Sequence, residues 1–215
     1  MAVFTKLSKE DIENLISDYT IGNLDNFEEI VDGIENSNFK IFCNKQPYIL
    51  TIFEKRVTEE ELPFFINLKN FLNKNNFKCP KAIPDKNGKI LKTIKNKTAI
   101  IISFLEGKSI EKPNLAMCKE VGKMIANLHN LTLNFDEKRS NSLDLKDWKN
   151  IYKKCLNKNS DEFNEAMYLL KKEIDYLEDY WPTNIPCGVI HADLFRDNIF
   201  FKNEKISGVI DFYFS

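Results

Sequence analysis

Histidine is scarce in this chain: His129 and His191 are the only two in 215 residues. A histidine-built metal centre is therefore not expected. Cysteine is sparse and unpaired in pattern, with Cys43, Cys79, Cys118, Cys155 and Cys187 forming no paired motif. An odd, scattered set reads as reduced thiols of a cytosolic protein rather than a disulfide framework. Neither sign of charge dominates, since 31 basic and 32 acidic residues leave a net charge of −1. That balance gives no electrostatic reason to expect nucleic acid or a membrane surface as partner. No apolar run approaches membrane-spanning length and no secretory leader is read, so a cytoplasmic location is expected. What is present is ordinary for a globular protein: 43% hydrophobic and 29% charged residues in 25.2 kDa. A chain of this size can bury a sizeable core as one domain or two small lobes.

The most informative stretch is CGVIHADLFRDNIFFKNEKISGVIDFYFS, residues 187–215. It predicts a short strand over Cys187–Ile190, a polar loop over His191–Asn198, and a hairpin. The hairpin arms are Ile199–Phe201 and Ile206–Ile210, turning through Asn203, Glu204 and Lys205. The loop carries His-x-Asp-x-x-x-x-Asn, and Asp211 follows Asn198 by thirteen residues, where the second arm runs out. Carboxylate and amide oxygens converging without cysteine or a second histidine suit a hard cation such as Mg2+, not zinc. A further carboxylate beside that ion can orient or deprotonate an attacking hydroxyl. Those are the parts of phosphoryl transfer, where catalysis is mostly positioning and charge neutralisation. The plainer alternative is a polar loop with solvated acids.

Upstream, Ser8 to Asp11 form a helix start, and Ile12, Leu15, Ile16 and Tyr19 give that helix one apolar face ending at Gly22. Three strands follow in FEEIVDGI, SNFKIFC and PYILTIF, separated by turn-forming residues. The first turn, Gly33–Asn38, has one glycine only; Asn36, Ser37 and Asn38 can offer donors to a phosphate or simply make a hairpin turn. Glu59–Leu72 is predicted helical, with Pro63 tolerated in its first turn. Two more strands, near Lys89–Thr93 and Thr98–Phe104, complete a five-stranded antiparallel sheet with a helix on one face. Helices over 113–131, 146–156 and 162–180 follow. In the last two, Trp148, Tyr152, Leu169, Leu170, Ile174, Leu177 and Tyr180 are expected core positions. The layout is an α+β chain with a strand-rich lobe over 1–103 and a helical lobe over 104–215, and a ligand cleft is expected between them.

The strings HADLFRDN (191–198) and IDFYFS (210–215) resemble the kinase-like phosphotransferases of the aminoglycoside-phosphotransferase-like superfamily. Together with GIENSNF, YILTIFEKRV, ELPFF, LEGK and NLH, they resemble its homoserine kinase group over essentially the whole chain. The resemblance implies a bilobal protein-kinase-like fold and transfer of phosphate from ATP, with Mg2+, to the hydroxyl of L-homoserine. An aminoglycoside, choline or a sugar is the alternative acceptor, and a nucleotide-binding pseudokinase is the alternative class. By resemblance Asp193 orients or deprotonates the acceptor, and His191 braces its loop. Arg196 either neutralises the transferred group or pairs with Asp197; Asn198 and Asp211 hold the metal. Asn36, Ser37 and Asn38 are expected against the nucleotide phosphates, Glu61 as the helix glutamate, and Ser103 and Leu105 in the adenine-binding linker before Gly107. The chain departs from the wider pattern at Thr51, where a strand lysine usually stands. The aromatic run Phe212–Phe214 leads to a further expectation, that these residues are a fragment whose acceptor site is completed by later helices and which is inactive alone.

Overall fold

The computed structural model describes residues 4–31, 35–54, 57–141, 143–156 and 161–215. They pack as two compact units, Met1–Asp136 with Gly188–Ser215, and Glu137–Cys187. The first unit opens with α1 (Lys9–Ile16), started by a capping box. The Asp11 amide donates to Ser8 Oγ at 3.2 Å, and the Ser8 amide donates to Asp11 Oδ2 at 2.8 Å. Two of the amides a helix start leaves unbonded are thereby satisfied. The helix ends at Ile16, before the expected stop at Gly22.

Five strands follow: β1 (Leu24–Ile30), β2 (Ser37–Cys43), β3 (Gln46–Ile52), β4 (Lys92–Ile94) and β5 (Lys97–Ser103). They form one antiparallel sheet in the order β1-β2-β3-β5-β4. Its two tight hairpins turn through Asn44–Lys45 and Lys95–Asn96, all four at positive φ. That backbone matches the right-handed strand twist, and asparagine tolerates it better than most residues. Along β2 the side chains alternate, with Ser37, Phe39, Ile41 and Cys43 all at 0% exposure. This face, with Leu50, Ile52 and Ile101, packs on Ile12, Leu15 and Ile16 of α1. Each such buried side chain contributes about 1.5–3 kcal/mol.

The opposite face is covered as well. Ile100 packs with Leu62 and Ile66 of α2 (Leu62–Lys74), where one covered face was expected. The physical reason is the near-continuous apolar run in β5: Ala99 and Ile101 face α1 while Ile100 faces α2. Such a run marks a strand buried on both sides.

A two-stranded sheet, β6 (Ile199–Lys202) with β7 (Lys205–Val209), completes the unit with α3 (Leu115–Thr132). Both outer edges of this hairpin are occupied. The Val209 amide donates to the Lys78 carbonyl at 2.9 Å, and Lys108 exchanges two backbone bonds with Phe201. Two glycines permit the approach: a Cβ on Gly208 would lie 2.9 Å from the Lys78 oxygen, and one on Gly107 would lie 2.6 Å from the Phe201 oxygen. Segment 187–190 consequently finds no strand edge. It is extended chain outside any sheet, which corrects the expected strand there.

The second unit is an αα-hairpin of α4 (Leu145–Cys155) and α5 (Asp161–Tyr180). Asp144 caps α4, accepting from the Lys146 and Asp147 amides at 2.9 and 3.2 Å. Trp148 and Trp181 meet edge to face at 5.8 Å, and Lys149 pairs with Glu178. Most of the expected core is exposed. Leu169 is 56% and Tyr180 67% exposed, while Ile174 at 4% is buried as expected. A pair of helices buries one facing stripe each, so the remaining apolar residues stay on the surface. Among the described residues, no helix is long and apolar enough to cross a membrane.

Candidate active site

The polar loop predicted from sequence is a bonded constellation in the first unit. His191 is 3% exposed and joins two backbone segments. Its Nε2 donates to the Ile210 carbonyl at 2.8 Å, and its Nδ1 accepts from the Asp193 amide at 3.3 Å. That pairing describes a neutral imidazole, and burial holds its pKa below the usual histidine value, against the hydrogen bond to Ile210 and the charges of Asp211 and Asp193. The Asn198 amide nitrogen donates to the Asp193 carbonyl at 2.7 Å and to Asp193 Oδ2 at 3.3 Å. The Ile210 amide donates to the Asn198 carbonyl at 3.0 Å. Asp193, Asn198 and Asp211 are thus brought together by the end of β7 and the 3-10 turn Arg196–Asn198. Ala192 and Asp211 both lie in the left-handed region, at φ 60 and 63. Non-glycine residues there cost of order 1–3 kcal/mol and gather at functional sites.

With its nitrogen on Asp193, Asn198 keeps its side-chain oxygen as an acceptor, and Asp211 adds a carboxylate. Two hard oxygen donors fit Mg2+, which keeps several waters and takes phosphate oxygens for the rest of its shell. Among the described residues, no three His, Cys, Asp or Glu side chains cluster as a metal cage. The Arg196 guanidinium donates to the Glu111 carbonyl, and among the described residues no ion pair with Asp197 replaces that bond.

The linker after β5 is open. The N–H and C=O groups of Phe104 and Leu105 have no backbone partner among the described residues. Unpaired backbone groups in a half-buried linker can read the edge of a planar heterocycle. Ser103 differs from expectation, because its amide donates to the Lys81 carbonyl at 2.8 Å and its hydroxyl accepts from the Lys81 amide at 2.9 Å. Its amide and hydroxyl are committed to the chain, and Leu105 is the position that retains free groups. Lys40, on the partly exposed face of β2, lies over the rings of Phe42 and Phe104 at 4.9 and 4.7 Å, a neighbour of the linker that sequence did not point to.

The expected phosphate-facing turn resolves differently residue by residue. Gly33 lies outside the described residues. Ser37 is fully buried, and its hydroxyl accepts from the Phe4 and Thr5 amides at 2.9 and 3.0 Å while donating to Glu54. Lys97 pairs with Glu54 and bonds Thr5 Oγ1 at 2.8 Å, closing a partly buried polar network. The Ser37 hydroxyl therefore pins the N-terminal segment instead of offering a phosphate donor. Asn38 Oδ1 accepts from Thr51 Oγ1 at 2.7 Å across the β2–β3 ladder, and its Nδ2 donates to the Asn36 carbonyl at 3.5 Å. Asn36 accepts from the Glu54 amide at 3.4 Å. Glu61 stands at the N-cap of α2 and accepts from the Thr58 amide at 3.3 Å, a turn-stabilising bond.

Comparison with known proteins gives the family and the fold. The family model described as "Phosphotransferase enzyme family" matches residues 26–215. The chain belongs to the phosphotransferase enzyme family. Its relatives include a homoserine kinase of Agrobacterium fabrum, 41% identical over 216 residues, which covers all of this chain and 67% of the relative. A homoserine kinase of Bartonella henselae is 40% identical over 215 residues, again with 67% of its length covered. The chain thus spans about two thirds of the length of the curated relatives it matches. Among solved structures, an amicoumacin kinase with AMP-PNP, Ca2+ and its antibiotic superposes with a TM-score of 0.76 at 14% identity, covering 96% of this chain and 64% of that one. A spectinomycin phosphotransferase with ADP and spectinomycin gives 0.68 at 15% identity, covering 97% and 69%. At such identities these two establish the fold, the kinase-like α+β fold expected from sequence.

Proposed function

We propose that the chain carries the nucleotide-binding and catalytic parts of a Mg-ATP-dependent kinase that phosphorylates the hydroxyl of L-homoserine to give O-phospho-L-homoserine. The observation that carries this reading is the bonded set Asp193–Asn198–Ile210, with Asp211 next in the chain, in a chain 41% identical to a homoserine kinase over its full length. Residues 1–103 and the linker at Leu105 serve the nucleotide, with the base against the free groups of Phe104 and Leu105. Asp193 accepts the proton of the homoserine hydroxyl. The hydroxyl oxygen forms its bond to the γ-phosphorus as the bond from that phosphorus to the β,γ-bridging oxygen breaks, and ADP leaves with the electron pair. Asn198 fixes Asp193 from its backbone and its carboxylate together, so the base is oriented before substrate arrives. Asn198 Oδ1 and Asp211 would hold the ion, which supplies neutralisation of phosphate charge when bound. His191 remains neutral and braces the loop; Arg196, bonded to Glu111, orders the segment beside it. Free thiols and a near-neutral charge are in keeping with a cytoplasmic location.

Calorimetric titration of Mg-ATP into the chain tests the reading, with binding expected in the range of about 1 μM to 1 mM usual for enzyme substrates. ADP release should then follow addition of L-homoserine, and not of an aminoglycoside, choline or a sugar, to the protein with its acceptor site complete. Absence of nucleotide binding sinks the kinase reading, and binding without turnover on any acceptor favours a nucleotide-sensing module.

A further inference from the structure

Lys69 is an unusual residue for its place. It lies in the middle of α2 and is 5% exposed, yet among the described residues its ammonium has no carboxylate or hydrogen-bond acceptor. An ammonium removed from water without such a partner is costly, so a compensating contact is needed. The one it has is the face of Tyr213, whose ring centroid is 5.1 Å from Nζ. That distance is within cation–π range, and the contact is stronger where water is excluded. Tyr213 is held from two further sides. Phe53, just past β3, and Phe65 of α2 each meet its ring edge to face at 5.4 Å. The preceding residue, Phe212, is 1% exposed and packs on His191 at 4.8 Å and Phe77 at 6.4 Å. The backbone at Asp211 is left-handed, a conformation that persists only where surrounding structure over-determines it. Two clamped rings immediately after Asp211 supply that determination, one through His191 and one through Lys69.

We propose that Lys69 is a positioning residue for the metal-binding carboxylate: its cation–π contact with Tyr213 fixes residues 211–213 and so sets the direction of Asp211. The proposal rests on the reading that Asp211 is a metal ligand. It also accounts for a polar residue on the core-facing side of α2, at a position where leucine or methionine would pack without charge.

Two measurements on Lys69→Met, Tyr213→Phe, Tyr213→Leu and the Lys69→Met/Tyr213→Leu double variant test it. Hydrogen exchange of a peptide spanning 209–215 is read without nucleotide. The Mg2+ concentration that half-saturates ATP binding is read by titration. Lys69→Met and Tyr213→Leu should both speed exchange and raise the half-saturating Mg2+ about three- to tenfold, the range of a partly desolvated cation–π contact. Tyr213→Phe, which keeps the ring, should behave like the parent. The double variant should be no worse than either single change. Parent-like exchange in Lys69→Met overturns the proposal, as does a stability change with an unaltered Mg2+ response, or additive losses in the double variant. Should the parent chain bind no Mg-ATP, the functional reading fails separately, and the exchange data still decide whether Lys69 fixes this segment.

Discussion

Leu50 and Ile101 in the sheet unit have no exposed surface, whereas α4 in the αα-hairpin unit buries none of its residues. Both regions are comparably rich in apolar side chains; they differ in how many neighbours each element can reach. A central strand such as β3 has a partner on each side and a helix layer on its faces. In the hairpin α4 packs on α5, and apolar side chains including Tyr168, Leu169 and Tyr176 are exposed. Chemistry follows the same division. Every residue assigned a catalytic or metal-binding role lies in the unit with the two-faced sheet, whose hairpin edges are taken by Lys78 and Lys108. A sheet covered on both faces and a hairpin bonded along both edges can hold Asp193 and Asp211 in one geometry.

The comparison is broken most decisively at the site. Asp211→Ala should abolish Mg2+-dependent nucleotide binding while leaving the unfolding transition nearly unchanged, since it removes a hard oxygen ligand and little packing. Asp193→Asn should keep binding, with turnover falling about 100-fold or more as expected for loss of a general base. Titration calorimetry and ADP release separate the two roles.

Core substitutions sharpen the contrast between units. Leu50→Ala should cost about 2–5 kcal/mol in urea unfolding, because its site cannot refill. Leu169→Ala, at 56% exposure, should stay within roughly 0.5 kcal/mol. Equal costs would mean that the αα-hairpin is as tightly packed as the sheet. Ser37→Ala should cost about 1–3 kcal/mol by leaving two amides and Glu54 short of a partner. Its ATP affinity should match the parent, and a large loss of affinity would return Ser37 to the phosphate site.

The smallest expected effect is a pH dependence. His191 is held neutral by burial, with its folded pKa below the ordinary 6.5. Its unfolded form therefore binds the proton first. Stability from this group is fully present above the unfolded pKa and is lost as pH falls through the folded one. Unfolding measured from pH 7 downward should show that decline, and His191→Gln should flatten it.

Several features were legible from residues alone. The capping box at Ser8, the tight hairpins and the alternation in β2 are local, set by side chains a few positions apart and by the period of the strand. The acidic loop was legible because its spacing is short and its donors are chemically distinctive. The strand expected over 187–190 failed because a strand needs a free edge, and the edges of β6–β7 are occupied by residues 78 and 108, about a hundred positions earlier. The hydroxyls of Ser37 and Ser103 are bonded within the fold for a related reason, since a hydroxyl looks equally available in sequence whether or not its partner lies inside the fold. Helix periodicity marked the apolar stripes of α4 and α5 but could not say whether anything covers them.

Residue chemistry alone marked Asn198 and Asp211 as hard oxygen donors suited to Mg2+, and strand and turn patterns marked the sheet as antiparallel. Tertiary structure alone decided which polar groups are spent on the fold: Ser37 on the N-terminal segment, Thr51 on Asn38, His191 on Ile210. It also decided that Lys69 meets Tyr213, 144 positions away in sequence. A side chain's type is written in the chain, but its availability depends on burial and on partners that only folding brings within hydrogen-bond distance.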